Sequence, residues 1–317
     1  MKQFLSALDV DNVPRLIDEA LALKAAPWSH EQLGRRKTLG LIFFNPSLRT
    51  RLSTQKAAQQ LGMNILTVNI SQEGWALEME DGAMMNGGKT EHIKEAAGVL
   101  AQYCDIIGVR CFPDLKDRDY DYQETVLQKI IRYSGRPVIS LESATLHPLQ
   151  SLADLMTIKE HTKVRKPKVV LTWAPHFKAL PQAVANSFSQ WMQYVDCEFI
   201  ITNPPGYELN PEFAGKAAVI HHQNKAFTGA DFIYAKNWSS YKQYGQILCE
   251  DPSWRITAEK MKLTATGYFM HCLPVRRNFK VEDAVLDSSG SLVLQQAHNR
   301  VYSAQAILKR ILETPHG

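Results

Sequence analysis

The sequence predicts two α/β domains, each built on a doubly wound parallel sheet. Short apolar runs alternate with helical patterns along nearly the whole chain, as in a series of βαβ units. The runs are those of buried strands, which parallel sheets require because helices cover both faces. The 317 residues suffice for about two domains, each with its own core.

The first domain is predicted from a regular alternation of strands and helices. The strands are Thr38–Phe44, Ile65–Ile70, Asp105–Arg110 and Pro137–Leu141, and the helices are Leu48–Leu61, Glu91–Tyr103 and Tyr122–Tyr133. Gly62 follows the first helix at the position where many helices end in a left-handed glycine. A helix between each pair of strands is the crossover that parallel pairing needs.

A long helix, Pro148–His161, is predicted to join this series to a second one. The predicted strands of the second series are Lys168–Trp173, Cys197–Thr202, Ala217–Ile220, Asp231–Lys236, Tyr268–Cys272 and Leu292–Leu294. The predicted helices are Pro181–Tyr194, Gln223–Phe227 and a last one over about Ala297–Leu312. The chain is therefore expected to form two domains of similar size.

Composition excludes several classes of protein. The chain is 45% hydrophobic and 21% charged, with a formal charge of +4. This mild charge gives little support to nucleic-acid binding, although it suits a small anionic substrate. No apolar run approaches the ~20 residues of a membrane helix, and the N-terminus lacks the apolar core of a signal peptide. Five dispersed cysteines indicate reduced thiols, so a cytoplasmic location is expected.

The strongest motif is the segment 45–51, Asn-Pro-Ser-Leu-Arg-Thr-Arg, between a predicted strand and a predicted helix. Free backbone N–H groups at a helix N-terminus bind phosphate, and the hydroxyls of Ser47 and Thr50 would add donors. Arg49 supplies a planar, permanently charged group suited to phosphate oxygens. The alternative is an ordinary N-cap serine beside exposed arginines.

Three more motifs lie at predicted strand ends, where open α/β sheets bind their ligands. Arg110 ends one strand, and the segment 147–150, His-Pro-Leu-Gln, opens the joining helix. His147 could donate to a developing oxyanion and Gln150 could bind an NH₂ group. In the segment 270–274, Met-His-Cys-Leu-Pro, the proline restricts Leu273, so that its carbonyl can face a pocket. Structural roles for the arginine and histidine stay open, and Cys272 reads as an inert buried thiol rather than a nucleophile.

Other ligand classes find no support. The segment 83–90 fits a relaxed phosphate-loop pattern, but the acidic, irregular stretch 73–82 before it is not a buried strand, so an NTPase is rejected. No G-x-G occurs, which argues against a dinucleotide-binding oxidoreductase. No His, Cys and acidic residues have metal-ligand spacing. We therefore expect neither a cofactor nor a metal.

Taken together, Ser47-Leu-Arg-Thr, His147-Pro-Leu-Gln and His271-Cys-Leu-Pro, in this order and at these separations, resemble the transcarbamylase family over essentially the whole chain. The resemblance implies an aspartate/ornithine transcarbamylase-like fold, a catalytic homotrimer and no role for nucleic acid or membranes. It implies a carbamoyl-phosphate domain over 1–143 and an amino-acid domain over 144–296. The last helix, 297–317, is then expected to pack back on the first domain.

The resemblance also implies a set of site residues. Those that would hold carbamoyl phosphate are Ser47, Leu48, Arg49, Thr50, Arg110, His147, Gln150, Cys272, Leu273 and Arg300, with Trp75 donated by a neighbouring subunit. The catalytic members would be Arg49, Thr50, Arg110, His147, Gln150 and Cys272. They would act by positioning and electrostatic stabilisation, without a covalent intermediate.

Two departures narrow the resemblance to one branch. Ornithine enzymes carry an acidic Asp-x-Trp and a Ser-Met-Gly lid where this chain has Lys236 and no such lid. An acid there would pair with a free α-amine, whereas a lysine repels an amine and attracts a carboxylate. Lys236 and Arg276 resemble the branch acting on N-acetyl- or N-succinyl-ornithine, and Glu142 and His176 match its substrate-contacting positions.

The acyl group is the finest distinction. At the position of Thr90, the resemblance implies a glutamate in the acetyl enzymes and a proline in the succinyl enzymes. A glutamate would repel a succinyl carboxylate, whereas the neutral Thr90 would not. Lys280 matches a lysine that the acetyl enzymes carry in carboxylated form. The general run of sequence favours succinylornithine, an acceptor of arginine biosynthesis, with acetylornithine as the alternative and ordinary ornithine further off.

A catalytically silent binding or regulatory member is the alternative from another class, but the intact set Arg49, Thr50, Arg110, His147 and Gln150 argues against it.

Overall fold

The computed structural model describes residues 1–314, which divide into two compact units. The first unit comprises Met1–Leu149 and the segment that starts at Arg300, and the second comprises Gln150–Asn299. The predicted binding domains, 1–143 and 144–296 with 297–317 returning to the first, stay a prediction. Residues 315–317 of that last segment lie outside the described part of the chain.

The first unit contains a five-stranded parallel sheet. Its strands, with a separate small pair β4 and β5, are β1 Gln3–Phe4, β2 Thr38–Phe43, β3 Asn64–Asn69, β4 Leu77–Glu78, β5 Glu91–His92, β6 Ile106–Arg110 and β7 Val138–Glu142. The order across the sheet is β1-β7-β6-β2-β3, and every pair is parallel. The apolar strands β6 and β7 are buried throughout, which confirms the parallel sheet predicted for this part of the chain.

Helices cover this sheet and end where the sequence indicates. They are α1 Val13–Ala25, α2 Arg49–Gln60, α3 Ile70–Glu73, α4 Ile93–Tyr103, α5 Arg118–Tyr122, α6 Thr125–Ser134 and the start of α7 Pro148–His161. Helix α2 ends before Gly62, whose φ of 75° lies in the left-handed region. A Cβ at Gly62 would lie 2.0 Å from the carbonyl oxygen of Glu31, so both conformation and space require glycine.

The second unit has the same architecture. Its strands are β8 Lys168–Trp173, β9 Glu198–Thr202, β10 Ala218–Ile220, β11 Phe232–Lys236 and β12 Tyr268–Met270, in the order β10-β9-β8-β11-β12 and all parallel. The helices are the rest of α7, then α8 Ala183–Met192, α9 Pro211–Ala214, α10 Gln223–Phe227, α11 Ala258–Met261, α12 Asp283–Leu286 and the start of α13 Val293–Glu313.

One predicted strand is wrong. Leu292–Leu294 does not form a strand, because α13 begins at Val293 and only a single bridge joins Ser291 to Phe269. The Leu292 amide still donates to the Phe269 carbonyl (2.8 Å), but Leu294 is 72% exposed. A three-residue apolar run carries too little periodicity to separate a strand from the first turn of a helix. Within residues 1–314, no helix is long and apolar enough to cross a membrane.

Each sheet has one point where the strand order reverses. In the first unit this point lies between β2 and β6, where Phe43 pairs with Arg110. In the second unit it lies between β8 and β11, where Trp173 pairs with Lys236. Open α/β sheets bind ligands in the crevice outside the carboxyl ends of the strands at such a point. Arg110 and Lys236 are therefore the last residues of strands at the two crevices.

Candidate active site

The N-terminus of α2 is open in the way that phosphate binding requires. Leu48 precedes the helix with helical backbone angles (φ −84°, ψ −59°), and no described side chain caps it. The first backbone bond of the helix runs from the Leu52 amide to the Leu48 carbonyl (3.1 Å). Ser47 lies one residue before the cap, so the N-cap serine alternative is wrong. The early amides and the positive end of the helix dipole are thus available to an anion.

Arg110 lies against the segment that leads into this helix. Its Nη1 donates to the carbonyl oxygens of Asn45 (3.0 Å) and Pro46 (2.5 Å). Its Nε and Nη2 donate to Oε2 of Glu142, at 3.2 and 3.1 Å. These contacts within the described residues occupy four of the five guanidinium N–H groups. The buried guanidinium is therefore fixed in place and keeps one donor for a ligand.

His147 and Arg300 extend this cluster to α2. The Nε2 atom of His147, which is 3% exposed, lies 3.6 Å from Oε2 of Glu142. Arg300 Nη1 lies 3.4 Å from the same ring nitrogen, and its Nη2 donates to the Thr50 hydroxyl (2.7 Å). A continuous polar network thus joins the opening of α2 to the ends of β6 and β7. It holds more cationic than anionic groups, which suits a phosphate.

In the second unit, Gln150 is held by a hydrogen-bonded chain. Its Nε2 donates to Asp154 Oδ1 (2.7 Å), which also accepts from Gln296 Nε2 (2.8 Å). Gln296 Oε1 accepts the amide of His271 (2.8 Å). The bond from its NH₂ group to Asp154 fixes the orientation of the Gln150 amide. The same chain ties α7 to the turn after β12.

That turn is tightly constrained. The Leu273 amide donates to Nδ1 of His271 (2.9 Å). Leu273 has a φ of 57° and precedes a cis peptide bond to Pro274. The sequence predicted a kink at this residue, and the left-handed φ is a conformation that non-glycine residues adopt mainly where the surrounding structure enforces it. Cys272 beside it is buried and carries a free thiol.

A cluster of cations lies at the crevice of the second unit. Lys280 is 1% exposed, and burial, followed by repulsion from Lys236 and Arg276, lowers its pKa to about 7. Burial, with the positive charge of Lys280, also lowers the pKa of His176 to about 4. His176 stacks on Phe177 at 4.8 Å, and the Arg276 guanidinium lies 4.1 Å from the centre of the same ring. An anionic ligand would relieve this crowding.

Trp75 and Thr90 lie apart from these groups. Trp75 is exposed and donates from Nε1 to Glu91 Oε2 (2.8 Å), and the Thr90 amide donates to the Ala76 carbonyl (3.0 Å). Both belong to the exposed segment around the β4–β5 pair. Contacts among the described residues do not join them to the polar network of the first unit, and their roles stay predictions.

Sequence reasoning missed two residues that hold the site together. Asp154 follows Gln150 by four positions on α7, a spacing that places both on one helix face, and this signal was available. Glu124 binds the loop before His147, as described below, and no local pattern marks it. Between Met1 and Thr314, no group of three or more His, Cys, Asp or Glu side chains is placed to hold a metal ion.

Comparison with known proteins agrees with the fold. Residues 2–160 match the profile of the aspartate/ornithine carbamoyltransferase carbamoyl-P binding domain, and residues 181–311 match that of the Asp/Orn binding domain. The fold and site thus define a transferase of carbamoyl groups. The chain belongs to the aspartate/ornithine carbamoyltransferase family.

Within this family, the chain is similar to enzymes that are named for N-acylated ornithines. The chain is 54% identical to the N-succinylornithine carbamoyltransferase of Bacteroides thetaiotaomicron over 315 residues, 99% of each chain. It is 38% identical to the N-acetylornithine carbamoyltransferase of Xylella fastidiosa, covering 91% of this chain and 93% of that one. An N-acetyl-L-ornithine transcarbamylase variant solved with carbamyl phosphate and N-succinyl-L-norvaline superposes with a TM-score of 0.91 at 35% identity, covering 98% and 100%.

Proposed function

We propose that this enzyme transfers the carbamoyl group of carbamoyl phosphate to the δ-amine of N-succinyl-L-ornithine. The products are N-succinyl-L-citrulline and phosphate, in a reaction of arginine biosynthesis. The observation that carries the choice of acceptor is the crowded cationic group of Lys236, Arg276 and Lys280. Free ornithine would bring an α-ammonium group toward these cations, whereas N-succinylornithine brings two carboxylates and no second amine.

The first unit supplies the phosphate site. The phosphate rests on the open amides of α2 with the hydroxyl of Ser47, the backbone at Leu48 and the guanidinium of Arg49. Trp75 of a neighbouring subunit in a homotrimer closes the site. Arg300 holds Thr50 and His147 in place through the contacts described above.

The carbonyl oxygen of carbamoyl phosphate receives the donors of the polar network. Thr50, Arg110 and His147 point hydrogen-bond donors at the oxygen on which negative charge develops. Glu142 keeps two of them oriented through its contacts with Arg110 and His147. Such pre-oriented donors stabilise an oxyanion because they need no reorganisation during the reaction.

Residues of the second unit orient the amide and the acceptor. The Gln150 side chain is oriented by the bond from its NH₂ group to Asp154. Its carbonyl and the Leu273 carbonyl accept from the carbamoyl NH₂, and the buried Cys272 lines the site. His176, Lys236 and Arg276 hold the acyl-ornithine, and Glu142 contributes a contact.

The chemical step is a nucleophilic substitution at the carbamoyl carbon. The neutral δ-amine attacks, a C–N bond forms, and a tetrahedral oxyanion then expels phosphate with cleavage of the C–O bond. The proton of the amine passes to the departing phosphate, so the step balances without a side-chain base. The reaction is accelerated because the site holds the amine and the carbamoyl group in contact and stabilises the oxyanion.

Two observations support the succinyl group over the acetyl group. The relatives at 54% and 53% identity are N-succinylornithine carbamoyltransferases. Variants of an N-acetyl-L-ornithine transcarbamylase that lack one glutamate are complexed with N-succinyl-L-norvaline, and the family resemblance puts the neutral Thr90 at a glutamate position of the acetyl enzymes. N-acetylornithine is the second candidate, favoured by Lys280. The enzyme is proposed to work in the cytoplasm.

Three parallel assays with carbamoyl phosphate test the proposal. N-succinylornithine, N-acetylornithine and ornithine are each supplied at several concentrations, and the citrulline-type product and phosphate are both measured. We expect kcat/KM to be highest for N-succinylornithine and lowest for ornithine. A higher value for N-acetylornithine would reverse the choice of acyl group. Thermal stabilisation by carbamoyl phosphate without any product would show a silent binding protein instead.

A further inference from the structure

Glu124 lies outside the substrate contacts proposed above, yet it is held in an unusual conformation. It precedes α6 with φ 53° and ψ 39°, in the left-handed region. Residues other than glycine rarely adopt these angles. Such a conformation persists where surrounding contacts enforce it, and it often marks a functional segment.

The enforcing contacts come from the loop that leads to His147. Oε1 of Glu124 accepts the hydroxyl of Ser143 (2.5 Å), the hydroxyl of Thr145 (2.5 Å) and the amide of Thr145 (2.8 Å). Oε2 accepts the amide of Ala144 (3.1 Å). One carboxylate therefore binds four donors from three consecutive residues. A single side chain thus bridges three of the four residues of the loop 143–146.

Both ends of this loop belong to the polar network. Glu142, which contacts Arg110 and His147, immediately precedes it, and His147 immediately follows Leu146. The loop is closed internally, because the Ser143 amide donates to the Leu146 carbonyl (2.8 Å) and the Leu146 amide donates to the Ser143 hydroxyl (3.2 Å). A shift of the loop as a body would therefore move the imidazole of His147 and the carboxylate of Glu142 together.

The contacts of Glu124 are those of an acceptor rather than of a charge partner. No ion pair joins it to any of the residues that the structure describes. Burial raises the pKa of Glu124, while the bonds from Ser143, Thr145 and Ala144 act in the opposite direction. A half-buried carboxylate with four donors and no cation is suited to holding backbone geometry.

We propose that Glu124 is a positioning residue for carbamoyl transfer, which fixes the loop 143–146 and thereby places the imidazole of His147. The inference rests on the proposed function, because Glu124 acts through the role given there to His147. Glu124 itself has no part in the substrate contacts proposed above.

The test compares Glu124→Gln with a matched control, Asp121→Asn. Asp121 is buried, and its carboxylate accepts backbone amides of another loop, from Leu115 (3.1 Å) and Asp114 (3.4 Å). The amide of Glu124→Gln presents an NH₂ group to donors, so the loop must shift. We expect kcat to fall by about 10- to 100-fold, since a misplacement of ~1 Å costs roughly 10² in rate. The KM for carbamoyl phosphate and the kcat of Asp121→Asn should stay near the wild-type values.

Double variants separate positioning from general damage. In the His147→Asn background, Glu124→Gln should lower kcat by much less than in the wild type, because the main group through which it acts is already gone. Full additivity of the two losses, or a wild-type kcat for Glu124→Gln, would overturn the proposal. If Glu124→Gln fails to fold, Glu124→Asp, which keeps the acceptor but shortens its reach, is expected to show a smaller loss with the same non-additivity. A wild-type kcat for His147→Asn alone would instead refute the role of His147 in the proposed function.

Discussion

Lys280 should make the stability of the protein rise with pH in the neutral to alkaline range, well above the pH of acid denaturation. Its pKa falls from 10.5 to about 7 on folding, so the unfolded chain holds the proton between these values and the folded chain does not. Stability therefore rises with pH across this window, by about 1.4 kcal/mol per unit while the two states differ by one proton. Between pH 8 and pH 10 the gain attributable to Lys280 is about 2.5 kcal/mol.

Lys280→Met removes this dependence. The free energy of unfolding is measured by chemical denaturation of both proteins at pH 8 and pH 10, at one protein concentration. The free energy of unfolding of the variant, minus that of the wild type, should fall by about 2.5 kcal/mol from pH 8 to pH 10. Lys216→Met, at an exposed lysine outside the cluster, controls for simple loss of a charge. An equal difference at the two pH values would mean that folded Lys280 keeps its proton, and the crowded-cation explanation of the acceptor site would be wrong.

Three substitutions test the remaining roles by steady-state kinetics. His147→Ala removes an oxyanion donor and should lower kcat by roughly 10²–10³; near-wild-type turnover would contradict its assignment. Arg300→Met loses the bonds to Thr50 and His147 and should lower kcat/KM by about 10- to 100-fold, from about 1.5–3 kcal/mol for bonds to a charged group; an unchanged value would show that the contact is incidental. Lys236→Glu should raise the KM for N-succinylornithine at least about tenfold, from roughly 1.4 kcal/mol or more, with the KM for carbamoyl phosphate unchanged, and an unchanged acceptor KM would remove Lys236 from the site.

Much of the fold was predictable because strands and helices carry local periodic signals. The helix Pro148–His161 and the strand Lys168–Trp173 have the predicted limits. The order of the strands does not follow from local periodicity, but the residues at strand ends could still be chosen. In a parallel sheet all carboxyl ends of the strands lie at one edge. Arg110 and the segment after Phe43 both follow such ends and were therefore expected at that edge, where Phe43 pairs with Arg110.

What the sequence left hidden depends on distant residues. The cationic cluster brings position 176 close to positions 236, 276 and 280, and no spacing rule predicts that the cations share one crevice. The depressed pKa of Lys280 follows from burial in the folded chain, which composition does not reveal. Glu124 contacts a loop about 20 residues away in sequence. Its left-handed backbone conformation was not predictable, because the position holds neither glycine nor asparagine, the residues that usually indicate it.

Formation of the new carbon–nitrogen bond tests the proposed reaction most directly. The enzyme is supplied with ¹³C-carbamoyl phosphate and N-succinyl-L-ornithine labelled with ¹⁵N at the δ position, and the mixture is followed by NMR. A one-bond ¹³C–¹⁵N coupling should appear as inorganic phosphate is released, and His147→Ala should slow both signals together. Release of phosphate with the ¹³C label recovered as carbonate, and no coupling to the δ-nitrogen, would contradict transfer to this acceptor.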